Sequence, residues 1–206
     1  MSASPTIVLT NLSAFADGEL VTQAAGGRED GFEELVRRYQ RPIAAYVYRM
    51  VGDYEAALDL TQEVFIKVYN SLRRYRPEFK FSTWIYKIAH NAAVDHLRRY
   101  GARAAVSSSA LVGEFEGEQY ELPLESRRLS PEQESERAER RAEIERVVRG
   151  LPTAYRELVL LRHSYDMSYD EIAEVTGLPL GTVKNRLFRA RETMRQLFIQ
   201  RGITGV

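Results

Sequence analysis

The chain has 206 residues, of which 44% are hydrophobic and 28% charged, so it can bury a core and keep a solvated surface. It has no cysteine, which excludes a disulfide framework, a thiol nucleophile and a cysteine-based zinc site. No apolar run approaches the roughly 20 residues that span a bilayer. The 29 basic and 29 acidic residues cancel, which taken alone argues against a nucleic-acid binder, but they are segregated along the chain.

In chain order, the stretch before Asp17 matches no pattern. Pro5 to Leu12 is short and lacks a basic flank, so it is a poor signal peptide, and residues 1–16 are expected to be flexible. Asp17 to Ala25 opens a helical domain expected to span residues 17–100. Phe32, Leu35, Val36, Tyr39 and Ile43 recur at the three-and-four spacing of an amphipathic helix, with Pro42 predicting a kink. Leu58, Val64, Phe65, Val68, Tyr69 and Leu72 form a second apolar stripe. Trp84, Ile85, Ile88, Ala92 and Leu97 form a third, with Ser82 or Thr83 as its expected cap. Residues 101–130 break the periodicity. They carry Ser107, Ser108, Ser109, Pro123 and the acids Glu114, Glu116, Glu118, Glu121 and Glu125, and read as a flexible acidic linker. Helical periodicity returns over 131–206, through Ile144, Val147, Val148 and Leu151 and then Tyr155, Leu158, Val159 and Leu161. No strand-like alternation and no repeat is seen. The expected class is all-α, two small helical domains on one tether.

The sharpest local signal runs from Ser168 to Leu197. Ser168 and Glu171 make a capping box that starts a helix, and Gly177 suits the left-handed residue that ends it. Ala173 is small where two helices cross, and Val183 anchors the second helix on the first. Val183, Leu187, Ala190, Met194 and Leu197 then share a buried face. Thr182, Lys184, Asn185, Arg186, Phe188, Arg189 and Arg191 are left outward. This is a helix-turn-helix whose second helix carries groove-reading chemistry: Arg and Lys for guanine, Asn for adenine. The plainer alternative is a helical hairpin with a solvated basic face. Spacing, cap and one-sided charge together favour DNA.

Phe79 to Asn91 interleaves aromatics with bases, the chemistry of a surface that stacks unpaired bases and holds phosphates. Trp84, Ile85 and Ile88 are expected in the core, whereas nothing in the periodicity demands burial of Tyr75 or Asn91. His90, His96 and His163 share no helix face and no metal-ligand spacing with carboxylates, so neither a metal nor an enzymatic role is expected. A two-domain helix-turn-helix transcription regulator is the alternative function. It would need an upstream receiver or ligand-binding domain, usually built of alternating strands and helices. A pure interaction protein is disfavoured by the basic recognition face.

Three motifs in order carry a resemblance over about Asp17 to Leu197: Asp59 to Tyr69, Phe81 to Asn91 followed by Asp95 to Arg99, and Gly181 to Arg191. With them the chain resembles bacterial RNA polymerase sigma factors of the extracytoplasmic-function type. The resemblance implies a sigma domain 2 that docks on the clamp helices of the largest polymerase subunit and melts the minus-ten element. It implies a sigma domain 4 that reads the minus-thirty-five element beside the polymerase flap. By motif position Asp59, Gln62, Glu63 and Phe65 are the implied docking face. Asn91 is the implied contact to a flipped minus-ten base, with Tyr75 in the loop that shapes its pocket and Lys67, Lys80, Arg98 and Arg99 on phosphates. In the upstream element Lys184, Asn185, Phe188 and Arg189 lie nearest the bases, with Thr182, Arg186 and Arg191 on the backbone; Asn185 stands where the family commonly has serine. The family further implies an anti-sigma partner and cytoplasmic action. It implies no cofactor, no small-molecule substrate and no membrane insertion. In such factors the tether threads toward the polymerase active site and the RNA exit path, where the five glutamates either mimic nucleic acid or serve as a solubilising spacer.

Overall fold

The computed structural model describes residues 12–106 and 131–202. Within them the chain is helical: α1 (Asp17–Ala25), α2 (Glu29–Val51), α3 (Tyr54–Ser71), α4 (Phe81–Val106), α5 (Pro131–Arg149), α6 (Thr153–Val159), α7 (Tyr169–Thr176) and α8 (Leu180–Gln200), with no strand among the described residues. The segment expected as an acidic linker lies chiefly in 107–130, outside the described residues.

Helices α1 to α4 pack as one unit. Glu29 and Asp30 place negative charge on the first turn of α2, which favours its exposed amides. Its last turn closes on Gly52, whose φ of 80° lets the chain reverse. Asp53 then caps α3, accepting from the Ala56 amide at 2.7 Å. Helix α1 approaches α2 so closely that a Cβ on Gly31 would lie 2.8 Å from the Leu20 carbonyl oxygen, which requires glycine there. Arg38 bridges Asp17 at 2.8 Å and Glu34 at 2.9 Å and also donates to the Leu12 and Ser13 carbonyls, while the Tyr39 hydroxyl donates to Asp17. The unit therefore begins upstream of Asp17, with a single 3-10 turn at Leu12–Ala14.

Helix α2 runs from Glu29 to Val51 with Pro42 inside it, and expectations change on α4 and on α3. Helix α4 starts at Phe81, so Ser82 and Thr83 lie in its first turn and do not cap it; it runs to Val106, beyond the expected boundary at residue 100. On α3 the inward stripe is Ala57, Leu60, Thr61, Val64 and Val68, while Leu58 and Tyr69, expected inside, are exposed. Every stripe on a helix has a neighbour about 100° away that satisfies the same spacing, and packing against α2 and α4 decides between them.

The C-terminal unit packs α6 against α8 and α7 against α8, with Leu158, Leu161, Ile172, Val183 and Leu187 at its centre. Helix α7 also lies along α4, and one continuous core joins the two units.

His90 is buried on α4, its Nδ1 3.1 Å from the Tyr46 hydroxyl. Burial lowers its pKa to about 4. The unfolded chain therefore takes up a proton near pH 6.5 that the folded chain refuses, so this contribution to stability is present above about 6.5 and lost toward 4. In urea titrations, His90→Gln should remove about 3 kcal/mol of the stability change between those pH values relative to the parent chain. An unchanged pH profile would contradict it.

Candidate nucleic-acid interface

The second unit carries the clearer surface. Ser168 caps α7 with both halves of a capping box: its hydroxyl accepts from the Glu171 amide at 3.2 Å, and Glu171 Oε2 accepts from the Ser168 amide at 2.8 Å. Gly177 then takes φ 70°, ψ 12°, the left-handed conformation that turns the chain sharply into α8. Val183, Leu187 and Ala190 are buried, Met194 and Leu197 pack partly against the same core, and Phe198, which the apolar pattern did not single out, closes the face. That burial sets the rotation of α8. Lys184, Asn185, Phe188, Arg189 and Arg191 point outward, with Phe188 66% exposed. An aromatic held in water on a basic face suits contact with a thymine methyl or a sugar edge.

Thr182 and Arg186 are half-buried. With Asn185, Arg189, Gly181 and Tyr155 they line a shallow groove at the start of α8. Tyr155 comes from α6 and had been read as part of an apolar stripe. Arg186 lies 3.7 Å from Glu157, a carboxyl whose burial raises its pKa while Arg186 acts to lower it. Arg186 therefore braces α8 against α6 as well as edging the groove.

The first unit divides its site residues among three places. On α3, Asp59, Gln62 and Glu63 are exposed, but Phe65 is half-buried against the core. The exposed large apolar positions on this helix are Tyr54 at its start and Leu58, Ile66 (61% exposed) and Tyr69 further along. Leu58, Gln62, Ile66 and Tyr69 follow one another at four, four and three residues, a second stripe facing away from the core. Lys67 is also on α3, 3.6 Å from Glu63, so it stands with the docking residues and apart from Lys80, Arg98 and Arg99. Tyr75 sits in the loop before α4, its hydroxyl donating to the Phe79 carbonyl at 2.5 Å and its ring packed on Phe81 and Trp84. It lines a recess with Asp17, Glu78, Phe79, Lys80 and Ser82. Asn91 is exposed on α4, nine residues and therefore about 13 Å beyond Ser82, and is not part of that recess. Arg98 and Arg99 are exposed further along, both turned toward Asp95. Lys80 reaches across to Glu171 at 2.9 Å. That contact and two from Ser168 outweigh partial burial and hold the Glu171 carboxyl at about 2.

Two family models match the chain, one within each helical unit. Residues 35–103 match the family described as Sigma-70 region 2, and residues 141–194 match that described as Sigma-70, region 4. The RNA polymerase sigma-H factor of Pseudomonas aeruginosa is 38% identical over 86% of this chain and 91% of its own length. The ECF RNA polymerase sigma factor SigW of Bacillus subtilis is 32% identical over 85% of this chain and 93% of its own. Among solved structures, CnrH in complex with the cytosolic domain of CnrY superposes with a TM-score of 0.64 at 25% identity, over 90% of this chain and 99% of that one. The sigma factor RpoE of Bartonella quintana, in complex with the anti-sigma factor NepR, shares the fold, with a TM-score of 0.63 at 18% identity over 81% and 96%.

Arg186→Ala should lower folding stability by about 1–2 kcal/mol in chemical denaturation, because it leaves the Glu157 carboxyl buried without its cation. A loss of DNA affinity at full stability would instead make Arg186 a pure phosphate contact.

Proposed function

The chain belongs to the extracytoplasmic-function branch of the sigma-70 factors, and from that premise we propose how its residues divide the work of promoter-specific initiation. It is a promoter-directing sigma factor that binds core RNA polymerase and promoter DNA, and the polymerase supplies the catalysis. The observation that carries the residue assignment is the rotation of α8. Its apolar face is consumed by packing, leaving Lys184, Asn185, Phe188 and Arg189 as the side chains free to enter a major groove. Thr182, Arg186 and Arg191 flank them on the phosphates. The domain limits proposed are 12–106 for sigma domain 2, widened from 17–100 because Leu12–Ala14 are tied to Arg38 and α4 runs to Val106, and 131–206 for sigma domain 4, with the tether between.

On the downstream side, exposed Asn91 contacts an extruded base of the minus-ten element, Tyr75 and its aromatic neighbours shape a separate recess at the start of α4, and Lys80, Arg98 and Arg99 hold the backbone. Extruding a base costs a few kcal/mol, which stacking and an amide contact offset. The polymerase dock is the outward stripe of α3, in which Ile66 and Leu58 join Asp59, Gln62 and Glu63; Phe65 supports that stripe from beneath. An apolar centre ringed by acids and amides fits a basic helical partner. A protein of the anti-sigma type completes this reading as the regulator. No helix among the described residues is long and apolar enough to cross a membrane, and action in the cytoplasm follows in this reading from the polymerase partner.

Run-off transcription with core polymerase on a promoter library tests the whole. Binding to core without initiation from any promoter would sink it. Within that assay, Arg189→Ala should lose ~1–3 kcal/mol of discrimination at one base pair of the upstream element; a uniform loss over all sequences would reassign it to the backbone. Asn91→Ala should bind core normally yet form fewer open complexes, scored by permanganate reactivity of the melted strand.

A further inference from the structure

Hydrogen-bonding groups that the fold itself does not use gather in one place on the C-terminal unit. A threonine inside a helix commonly donates its hydroxyl to the carbonyl four residues back, as Thr22, Thr61, Thr176 and Thr193 do. Thr182 has no such acceptor. It stands in the first turn of α8, and Leu178, four residues before it, lies outside the helix. The Thr182 hydroxyl and the side-chain heads of Asn185 and Arg189 are without a protein partner among the described residues.

Helix α6 supplies a further group. It packs on α8, and Glu157, Leu158 and Val159 are buried at its end. That packing leaves Tyr155 half-buried, its ring against the core and its hydroxyl without a hydrogen bond among the described residues. Tyr155, Gly181, Thr182, Asn185, Arg186 and Arg189 line one groove of about 440 Å³. Each polar head in it can donate a hydrogen bond: two hydroxyls, one amide and two guanidiniums. The neighbouring carboxylate, Glu157, is buried and faces Arg186 at 3.7 Å. A groove of donors with two cations on one wall calls for an anionic acceptor. A flat base edge would meet α8 alone, whereas a tetrahedral phosphodiester presents oxygens to donors that arrive from two helices.

We propose that Tyr155 is a DNA contact: its hydroxyl, together with that of Thr182, donates to one phosphodiester of the upstream element in the groove between α6 and α8. The inference rests on the sigma reading and adds to it a residue from outside the recognition helix. Its consequence is geometric. Contacts made by α8 alone lie on one cylinder and leave that helix free to roll about its axis in the major groove. A hydrogen bond from α6, off that cylinder, fixes the roll. Asn185 and Arg189 open onto the same groove, so the phosphate held by Tyr155 also sets the base edge that each of them meets. Backbone contacts position a protein and base contacts specify the sequence. Tyr155 is of the first kind and, being uncharged, acts without displacing a counterion.

The test uses holoenzyme assembled from core polymerase and the full-length chain. It is titrated against duplex promoter in which single phosphates of the upstream element are replaced, one at a time, by neutral methylphosphonates. Tyr155→Phe keeps the ring and its packing, so thermal melting should match the parent. The variant should bind unmodified promoter about 10-fold more weakly, whatever base pairs the upstream element carries. At one position the methylphosphonate should cost the parent about 10-fold more than it costs Tyr155→Phe, and Thr182→Val should lose sensitivity at that same position. The slope of log affinity against log salt should be the parent's; a slope shallower by about 0.9 would mean that a cation had been displaced, and overturns the contact. Identical methylphosphonate profiles for parent and Tyr155→Phe also overturn it, while promoter-specific binding by the parent leaves the sigma reading standing. A parent holoenzyme with no promoter preference overturns that reading and this one with it.

Discussion

The position of helix α4 constrains the rest of the molecule. It has to lie against α2, α3 and α7 at once. It does so by turning Phe81, Ile85, Tyr86, Ala89, Ala92 and Ala93 inward, the three alanines allowing helix axes to approach closely. With three sides taken, what remains is the strip carrying Asn91, Asp95, Arg98 and Arg99. The direction in which Asn91 points is thus a consequence of packing, and no interaction of its own is needed to hold it. The same logic governs α8, where Val183, Leu187 and Ala190 fix a rotation and the basic face is what is left over.

Zero net charge leaves exposed basic faces on α4 and α8 because part of the acidic charge is engaged internally. Glu34 is held near 2 by Arg37 and Arg38. Glu171 is shared between the Ser168 cap and Lys80, Glu157 braces Arg186, and Glu145 pairs with Arg49. Each of these carboxylates does structural work at a helix end or a helix crossing. Lys184 and Arg189 keep their heads in solvent, where potential rather than pairing governs encounter with a polyanion. A composition total averages over these two populations and hides both.

The aromatic residues divide similarly. Tyr39, Phe81, Tyr75 and Trp84 pack edge to face or tilted into a cluster beneath the loop before α4, which stiffens the recess that Tyr75 and Phe79 line. Tyr46, Tyr86 and Tyr165 form another cluster where the two units meet. The first cluster shapes a surface and the second joins two units, though both arise from tyrosines spaced along apolar stripes.

The sequence alone determined the all-helical class, the capped α7, the left-handed Gly177 and the outward set on α8, because each depends on residues within a few turns of one another. It also placed Asn91 apart from the core pattern, whereas Tyr75, read the same way, packs partly against the core. Tertiary structure alone decided which of two apolar stripes on α3 faces inward, exposing Leu58, Ile66 and Tyr69 and half-burying Phe65. It alone turned Arg186 toward Glu157 and Lys80 toward Glu171, and seated Tyr165 against Tyr46 and Tyr86. These pairings join residues on different helices, or choose between faces of equal periodicity. Local spacing carries no information on them, because the partner that breaks the tie arrives from elsewhere in the chain.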